Sequence, residues 1–383
     1  MKEHKVLYVI NHSCFGGANS ALLNMLDGIV ELGFCTMVVM ATKGEICSAL
    51  ESRKINYKVI NHHFSIYPSL GTLRDVILFI PRIIRIILNN HQAVKQLSKV
   101  VKTFKPEIIH TNIGPDHVGF QVAKKLNIPH VWHFREYQDL YYGWHPMPSK
   151  REFMRRIHFS NNYPIAITHG LFNHYNMHSN ACVIYDGVMR KSQTQFVVTK
   201  EKYFLFVGRL EEAKGIRILI RSFIELCKRN TDFELLIAGT GGSIYVKELN
   251  QLVDDAKITK HVNFLGFQTD VNSLMSKATA LIVPSRYEGF GFITVEAMFN
   301  GCLVIGNNSG GTKEILGIEN LGILYSKQDE LVTAMNTVVS NGIESYYSMI
   351  KKAQKRAVAL YSQEQNINVL YHLYKDIINK NNI

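Results

Sequence analysis

The sequence predicts an α/β protein made of two Rossmann-like domains, each built on a doubly wound parallel sheet. Its 383 residues are enough for two domains of ordinary size. Short apolar runs alternate with segments of helical periodicity between residues 6 and 168, and the same alternation restarts at residue 203. The polar stretch 190–202 separates the two series. We therefore expect one domain over 1–187, a second over 188–361 and a terminal helical segment over 362–383.

The first domain begins with the apolar strand Val6–Ile10 and a helix over 18–32, joined by a loop that contains Gly16 and Gly17. This glycine pair is not a G-x-G-x-x-G fingerprint, so a dinucleotide site is not expected there. A helix is predicted over 74–102, where Pro81 interrupts the pattern, and another over 116–126. The remaining strands are predicted at 36–40, 57–60, 106–112, 128–136 and 165–168, the last being the final strand of this domain.

The second domain restarts with the buried strand Tyr203–Val207, after which Arg209 and Lys214 lie on either side of the turn into the next helix. Arginine offers a planar fork to phosphate oxygens and lysine a compact charge, so the two together can neutralise a diphosphate. The alternative is that both are ordinary surface cations. Further strands are predicted at 233–238, 261–265, 280–283 and 303–305.

A glycine-rich turn follows the strand at 280–283. It reads VPSRYEGFGFITVE over residues 283–296 and leads into a predicted helix. Unpaired N–H groups at a helix start can bind an anion, and glycine lets the chain approach a bulky phosphate closely. Glu288 lies on the loop, and Glu296 lies about two turns into the predicted helix, where it can reach a polyol such as a ribose. The alternative is that both are solvated surface acids.

Three motifs resemble the donor site of glycosyltransferase family 4, whose members are retaining enzymes of the GT-B fold. They are E-x7-E from Glu288 to Glu296, G-G-x-x-E from Gly310 to Glu314, and VGRL-x3-KG from Val207 to Gly215. The resemblance implies two Rossmann-like domains that face each other across a cleft. It places the acceptor on domain 1–187 and the nucleotide-sugar on domain 188–361, with the helix 362–383 crossing back to the first domain.

The resemblance also implies a role for individual residues. Arg209 and Lys214 would stabilise the leaving diphosphate, Glu288 would hold the sugar hydroxyls, and His133 would line the reacting side, which makes these four the catalytic set. His110 is a second candidate by the same topology, and a structural role is the alternative for both histidines. The donor-binding set is Gly16, Gly17, Gly208, Gly239, Phe267, Gly289, Phe290, Gly291, Phe292, Thr294 and Glu296. For Gly16 and Gly17 the alternative is a plain tight turn. No metal ion, other cofactor or covalent nucleophile is expected.

The formal net charge of +12 favours anionic partners. The sequence has no helix-turn-helix, RNA-binding aromatic motif or zinc finger, so nucleic acid is not expected. Residues 74–102 combine an apolar face with arginines and lysines, a pattern that can lie on an anionic membrane surface; the alternative is an ordinary domain helix with a solvated basic face. We expect no signal peptide and no membrane-spanning helix, and hence a cytoplasmic protein with the option of peripheral attachment to the inner face of the cell membrane.

Two further features leave alternatives open. The aromatic-rich segment 137–148 can be an acceptor-binding loop or a mobile lid. His174 and His178 are four residues apart on a predicted helix, but no third ligand accompanies them, so a metal site is not expected. The six scattered cysteines fit reduced thiols rather than disulfides.

The resemblance thus implies a retaining glycosyltransferase, and we expect it to move a sugar from a UDP- or GDP-linked donor to a saccharide or lipid-linked saccharide in surface polysaccharide biosynthesis. One alternative is a nucleotide-sugar epimerase or hydrolase of the same fold. Another is a non-catalytic, basic, membrane-associated binding protein, which the complete donor set disfavours.

Overall fold

The computed structural model describes residues 4–14, 16–229, 232–286 and 288–381. Its contacts divide the chain into two units, which are residues 1–187 with 363–383, and residues 188–362. Each unit is built on one sheet, and every named strand pairs with its neighbours in parallel. The predicted α/β class with two doubly wound parallel sheets is therefore confirmed.

The sheet of the first unit has seven strands in the order β3-β2-β1-β4-β5-β6-β7. The chain moves outward from β1 to β3 and then returns to β4 on the other side of β1. A topological switch point therefore lies between the carboxyl ends of β1 and β4, where sheets of this kind bind ligands. The strands are β1 (His4–Ile10), β2 (Phe34–Met40), β3 (Asn56–Val59), β4 (Ile108–Thr111), β5 (His130–Phe134), β6 (Asn162–Ala166) and β7 (Cys182–Val183).

Helices connect these strands and cover the sheet. They are α1 (Gly17–Glu31), α2 (Ile46–Ser52), α3 (Leu73–Ile77), α4 (Phe79–Phe104), α5 (Val118–Leu126), α6 (Gln138–Tyr142), α7 (Lys150–Ile157) and α8 (His169–His174). Two predictions were wrong here. Pro81 does not interrupt the long helix, because it lies in the first turn of α4, where no backbone N–H is needed; the break falls at Leu78. The strand near residue 165 is not the final one, because β7 pairs with it.

The second unit has six strands in the order β10-β9-β8-β11-β12-β13, which places its switch point between β8 and β11. The strands are β8 (Glu201–Val207), β9 (Glu234–Ala238), β10 (Val262–Gly266), β11 (Ala278–Val283), β12 (Leu303–Asn307) and β13 (Ile323–Tyr325). The helices are α9 (Ile216–Cys227), α10 (Ser243–Asp255), α11 (Val271–Lys277), α12 (Phe292–Phe299), α13 (Gly310–Gly317), α14 (Gln328–Asn341) and α15 (Tyr347–Leu360).

The last helix, α16 (Gln363–Asn381), belongs to the first unit. It packs along α1 so closely that a Cβ on Gly28 would lie 2.1 Å from the Cδ1 of Ile367. Leu370 and Tyr374 enter the same buried cluster as Tyr8 of β1. The chain therefore leaves the first unit after residue 187 and returns to complete its core.

None of the helices in the described ranges is long and apolar enough to cross a membrane. All six cysteines are free thiols, two of them buried.

Candidate active site

The switch point of the second unit brings together the ends of β8 and β11. After β8 the chain passes through Gly208 and a short turn to Gly215, whose φ of +72° lies in the left-handed region. A Cβ on Gly215 would lie 2.4 Å from the carbonyl oxygen of Pro284, directly after β11. Only glycine satisfies both conditions, so the loop that carries Arg209 and Lys214 packs directly on the loop that carries Glu288.

Lys214 and Glu288 form an ion pair at this point. The Nζ of Lys214 donates to the Oε1 of Glu288 at 2.7 Å, and the two side chains are only 21% and 17% exposed. Arg209 is different, because it is 67% exposed and pairs with its neighbour Glu211 at 3.1 Å. The site therefore contains a mostly buried cation paired with a carboxylate, and a second cation on an exposed side chain.

The glycines around the pair allow close backbone packing. A Cβ on Gly239 would lie 1.8 Å from the carbonyl oxygen of Gly208, and a Cβ on Gly311 would lie 1.8 Å from that of Phe290. The amide of Gly311 donates to the carbonyl of Glu288 at 2.8 Å. The start of α13 is thus hydrogen-bonded to the Glu288 loop. Gly289 lies in the same loop, directly after Glu288, and Tyr287 is outside the described residues.

Helix α12 begins directly after the glycine-rich turn, at Phe292. Gly291, at φ +104°, reverses the chain into the helix, and the amide of Thr294 donates to its carbonyl at 3.0 Å. The Thr294 amide is therefore already used, whereas the amides of Phe292 and Ile293 precede the first bond within the helix. Phe290 is buried and packs on Phe292. The positive end of α12 therefore lies at this turn, where an anion can bind.

Glu296 is the fifth residue of α12, one turn into the helix rather than the two turns expected. Its carboxylate makes no hydrogen bond or ion pair with any residue that the structure describes, and burial raises its pKa to about 7. An isolated carboxylate in a poorly solvated place is costly. A ligand with two hydroxyl donors would remove that cost, which fits the ribose-binding role implied by the resemblance.

Phe267 follows β10, two strands away from the Lys214 loop in the sheet. It is 75% exposed, and Gly266 before it adopts φ +66°. An exposed aromatic ring next to a ligand edge can stack on a planar base.

The loop after β1 in the first unit contains the glycine pair. Helix α1 begins at Gly17, and Gly16 is its N-cap with an extended backbone. The buried amide of Asn19 donates to the carbonyls of His12 at 2.9 Å and Cys14 at 2.8 Å. Asn19 therefore holds this loop in place, whether or not it also binds a ligand. Phe15 lies outside the described residues.

His133 lies within β5 and is fully buried. It stacks on His110 at a centroid distance of 5.4 Å, and the guanidinium of Arg135 donates to its Nδ1 at 3.3 Å. Burial first, and the Arg135 charge second, lower the pKa of His133 well below its usual range, so the ring is neutral at pH 7. Because a guanidinium only donates, the ring proton of His133 resides on Nε2.

The Nε2 of His133 is buried and has no hydrogen-bond partner among the described residues. His133 can therefore donate a hydrogen bond to an oxygen, but its free nitrogen cannot act as a base. His110 is held by Tyr374 of α16, whose hydroxyl lies 2.5 Å from its Nδ1. Arg135 is itself paired with the buried carboxylate of Asp186.

His174 and His178 do not share a helix, contrary to expectation, because α8 ends at His174. His174 pairs with Asp139 at 2.8 Å, and His178 stacks on His158. No group of three metal-ligating side chains occurs among the described residues.

Residues 189–356 match the family described as Glycosyl transferases group 1. The second unit is a group 1 glycosyltransferase domain. The motifs that suggested this resemblance, from Val207 to Glu314, all lie inside the matched segment.

The alignments with curated relatives of this domain cover only part of each relative's length. An uncharacterized glycosyltransferase of Methanocaldococcus jannaschii is 33% identical over 46% of this chain and 45% of its own. A Campylobacter jejuni enzyme, named N-acetylgalactosamine-N,N'-diacetylbacillosaminyl-diphospho-undecaprenol 4-alpha-N-acetylgalactosaminyltransferase, is 30% identical over 35% of this chain and 36% of its own. The chain therefore spans less than half the length of these relatives.

Solved structures resemble the whole chain. HepE of Anabaena, in complex with UDP, aligns with a TM-score of 0.78 and 20% identity over 97% of this chain and 100% of its own. A glycosyltransferase of Rickettsia africae aligns with a TM-score of 0.80 and 17% identity over 99% of each chain. These likenesses confirm the expected GT-B class of fold.

Two pairings in this protein were not predicted from the sequence. The Lys214–Glu288 pair joins two motifs that were assigned separate roles, and the Arg135–Asp186 pair joins the segments that follow β5 and β7 in the first unit. The signal for both was present, since each charged residue follows closely on a buried apolar run. The partners could not be chosen, because they are far apart in the chain.

Proposed function

We propose that the protein is a retaining glycosyltransferase that moves a sugar from a UDP- or GDP-linked donor to a saccharide or lipid-linked saccharide. The observation that carries the proposal is the mostly buried Lys214–Glu288 pair beside the start of α12, within a group 1 domain. Lys214, Arg209 and the amides of α12 supply positive potential where a diphosphate would leave. Glu296 would bind the ribose, and Glu288 the hydroxyls of the sugar.

The proposed reaction needs only groups of the substrates and these side chains. The bond from the anomeric carbon to the phosphate oxygen breaks, and its electron pair stays on the diphosphate. The acceptor hydroxyl oxygen bonds to the same face of that carbon, and its proton passes to the departing phosphate oxygen. His133 would donate a hydrogen bond from Nε2 to a substrate oxygen. We propose that no metal ion takes part, because the cations and helix amides neutralise the leaving group.

Two similar proteins support particular substrates for this protein. HepE was crystallised with UDP, which favours a UDP-linked donor. The Campylobacter enzyme is named for an acceptor linked through a diphosphate to undecaprenol, which favours a lipid-linked acceptor. Such acceptors fit the assembly of surface polysaccharides at the inner face of the cell membrane.

The donor site can be tested by the thermal unfolding midpoint with UDP, GDP, ADP, dTDP and CMP. A ligand that binds only the folded state raises stability by about 2.7 kcal/mol at a hundredfold excess over its Kd. We expect UDP or GDP to raise the midpoint and Arg209→Ala to reduce that shift. Transfer with the matching nucleotide-sugar should be unchanged by EDTA. Release of free sugar without any acceptor requirement would favour the hydrolase instead, and no shift with any nucleotide would remove the donor site.

The apolar strip of α3 and α4 supports membrane association. It consists of side chains that recur every three or four residues and are each at least 51% exposed, namely Leu73, Ile77, Ile80, Ile84, Ile87 and Leu88. Farther along α4, three of the exposed side chains are lysines, namely Lys95, Lys99 and Lys102. We propose that the strip lies in the interface of an anionic membrane while the lysines contact its headgroups.

Cosedimentation with phosphatidylglycerol vesicles tests this proposal. We expect binding that weakens with salt, and at least about a tenfold loss in Ile80→Asp/Ile84→Asp, because two buried isoleucines contribute about 3 kcal/mol or more. Val198→Asp, which charges an exposed apolar side chain of the second unit, is the control. Equal binding to phosphatidylcholine vesicles, or no loss in the double variant, would rule out this membrane contact.

A further inference from the structure

An aromatic surface lies at the carboxyl edge of the first sheet. Its members, which we call the aromatic platform, are His12, Phe64, Tyr142 and Trp144. The rings contact one another in series, with centroids 4.9 Å apart for His12 and Phe64, 5.3 Å for Phe64 and Trp144, and 4.2 Å for Trp144 and Tyr142. His12 and Tyr142 are exposed, and Trp144 is half-buried. The ring planes of Tyr142 and Trp144 are 13° apart, so the outer face of this stack offers a surface for a flat and partly apolar ligand, with the exposed His12 at the other end of the series.

The loop that carries the platform is tied to the body of the first unit. The amide of Met147 donates to the carbonyl of Ser65, and the amide of Tyr67 donates to that of His145, both at 2.8 Å. The hydroxyl of Tyr67 donates to the carbonyl of Pro148 at 2.9 Å. The structure thus joins the end of this loop to the segment after β3. That arrangement fits a preformed binding surface better than a mobile lid.

The platform lies at the end of the sheet where a ligand is expected. His12 directly follows β1, at the switch point between β1 and β4. Beneath it, His62 bonds to the buried carboxylate of Asp116 at 2.8 Å and to the carbonyl of Ile60 at 2.7 Å. Both ring nitrogens of His62 are therefore occupied, whereas His12 is an exposed member of the platform and can contact a ligand. Burial lowers the pKa of His12, with the Asp116 charge opposing, so it can accept a hydrogen bond at neutral pH.

The platform is also continuous with the apolar strip. Tyr67 stacks on Phe79, the first residue of α4, with centroids 6.2 Å apart. The segment that supports the platform therefore packs against the helix that exposes Ile80 and Ile84. A ligand with a sugar at one end and a lipid at the other matches this succession of surfaces.

We propose that the aromatic platform binds a sugar ring of a lipid-linked acceptor, whose lipid lies along the apolar strip. Tyr142, stacked on Trp144, would cover the apolar face of the sugar with its outer face, and His12 would accept a hydrogen bond from one of the sugar hydroxyls. The inference rests on the proposed function, and it deepens it by committing to an acceptor that is amphiphilic rather than a free saccharide.

Trp144 provides the readout, because the chain has only one other tryptophan, Trp132, which is fully buried. The probes are methyl and decyl glycosides of glucose, galactose, mannose and N-acetylglucosamine, used below the concentration at which the decyl compounds form micelles. The Trp144→Phe variant supplies the blank. We expect at least one decyl glycoside to change Trp144 emission saturably, and its methyl counterpart to bind at least about tenfold more weakly, since each buried CH₂ contributes about 0.8 kcal/mol.

Variants separate sugar recognition from adsorption of the alkyl chain. Tyr142→Ala and His12→Ala should each weaken binding about three- to tenfold, the range for one aromatic contact or one hydrogen bond. His145→Ala, which removes an exposed histidine next to Trp144 in the chain, should not weaken binding. The inference would be overturned if all decyl glycosides bound equally well and if neither Tyr142→Ala nor His12→Ala weakened their binding. It would also be overturned by an unresponsive Trp144 in a protein that UDP still stabilises. Loss of the nucleotide shift would instead overturn the proposed function.

Discussion

Replacing Lys214 by methionine should lower kcat/KM for sugar transfer by about a hundredfold to a thousandfold, as when one preorganised charge is removed from a developing anion. Lys214 is only 21% exposed, and Glu288 holds its Nζ at 2.7 Å, so the cation is already positioned before the donor binds. Steady-state kinetics with the nucleotide-sugar identified by thermal shift provide the measurement. The free energy of unfolding should change by no more than about 1 kcal/mol, because the pair is not fully buried.

Glu288→Gln should affect binding and transfer in opposite directions. The substitution releases Lys214 from its carboxylate, so UDP or GDP alone should bind about three to ten times more tightly, which corresponds to about 1 kcal/mol of charge interaction. Transfer should still fall, because the amide is a weaker acceptor for the sugar hydroxyls. Titration calorimetry with the nucleotide would measure the tighter binding, and kinetics on the same variant would measure the slower transfer.

The matched control is Lys228→Met. Lys228 also donates to a glutamate, Glu225, at 2.7 Å, but both side chains are well exposed on α9. Transfer should be unchanged in this variant. If Lys214→Met retained the wild-type rate, or if Glu288→Gln lost nucleotide affinity, the proposal that the diphosphate leaves next to this pair would be wrong.

Glu296→Gln should stabilise the protein while weakening nucleotide binding. Burial raises the pKa of Glu296 from 4.5 to about 7, so below pH 4.5 the folded and unfolded chains are both protonated at this residue. Between pH 4.5 and 7 the unfolded chain loses the proton first, and the free energy of unfolding falls as pH rises. One pKa unit corresponds to about 1.4 kcal/mol, so we expect the variant to be more stable by about 2–3 kcal/mol at about pH 8 and equal at about pH 4.

Urea unfolding at the two pH values, together with nucleotide binding at the higher one, tests this result. Nucleotide affinity should fall about tenfold or more in Glu296→Gln, because the amide replaces one acceptor oxygen by a donor. Glu31→Gln, which alters an exposed glutamate at the end of α1, should change stability by less than about 0.5 kcal/mol. A Glu296→Gln variant that was less stable at about pH 8 would show that the carboxylate is satisfied in the folded protein.

The periodicity of apolar residues in the sequence was sufficient to predict the long strands and helices. The strand predicted at Tyr203–Val207 is β8, and the helix predicted from residue 18 is α1, with ends shifted by one or two residues. Apolar runs of this length leave few alternatives in a parallel sheet that is covered on both faces. β7 and β13 were missed, because two or three residues carry no periodic signal and become strands only by pairing at the edge of a sheet.

The candidate residues of the donor site were also readable from the sequence, because glycine turns and charged residues after buried strands form local patterns. The side chains with which these residues pair could not be predicted from the sequence. Lys214 and Glu288 are 74 positions apart, and they meet because β8 and β11 are neighbours at the switch point. Local patterns predict which side chains reach the edge of a sheet, whereas the order of the strands decides which of them touch.

His133 shows the same division within the first unit. Its place on a strand followed from the apolar run around it, but its burial, its neutral ring and the proton on Nε2 depend on Arg135 and on the neighbouring strand that carries His110. The protonation and hydrogen bonding of such side chains were therefore set by contacts between distant segments, because desolvation and charge act through space. The class of fold followed from the chain itself, because strand periodicity and glycine turns act along it.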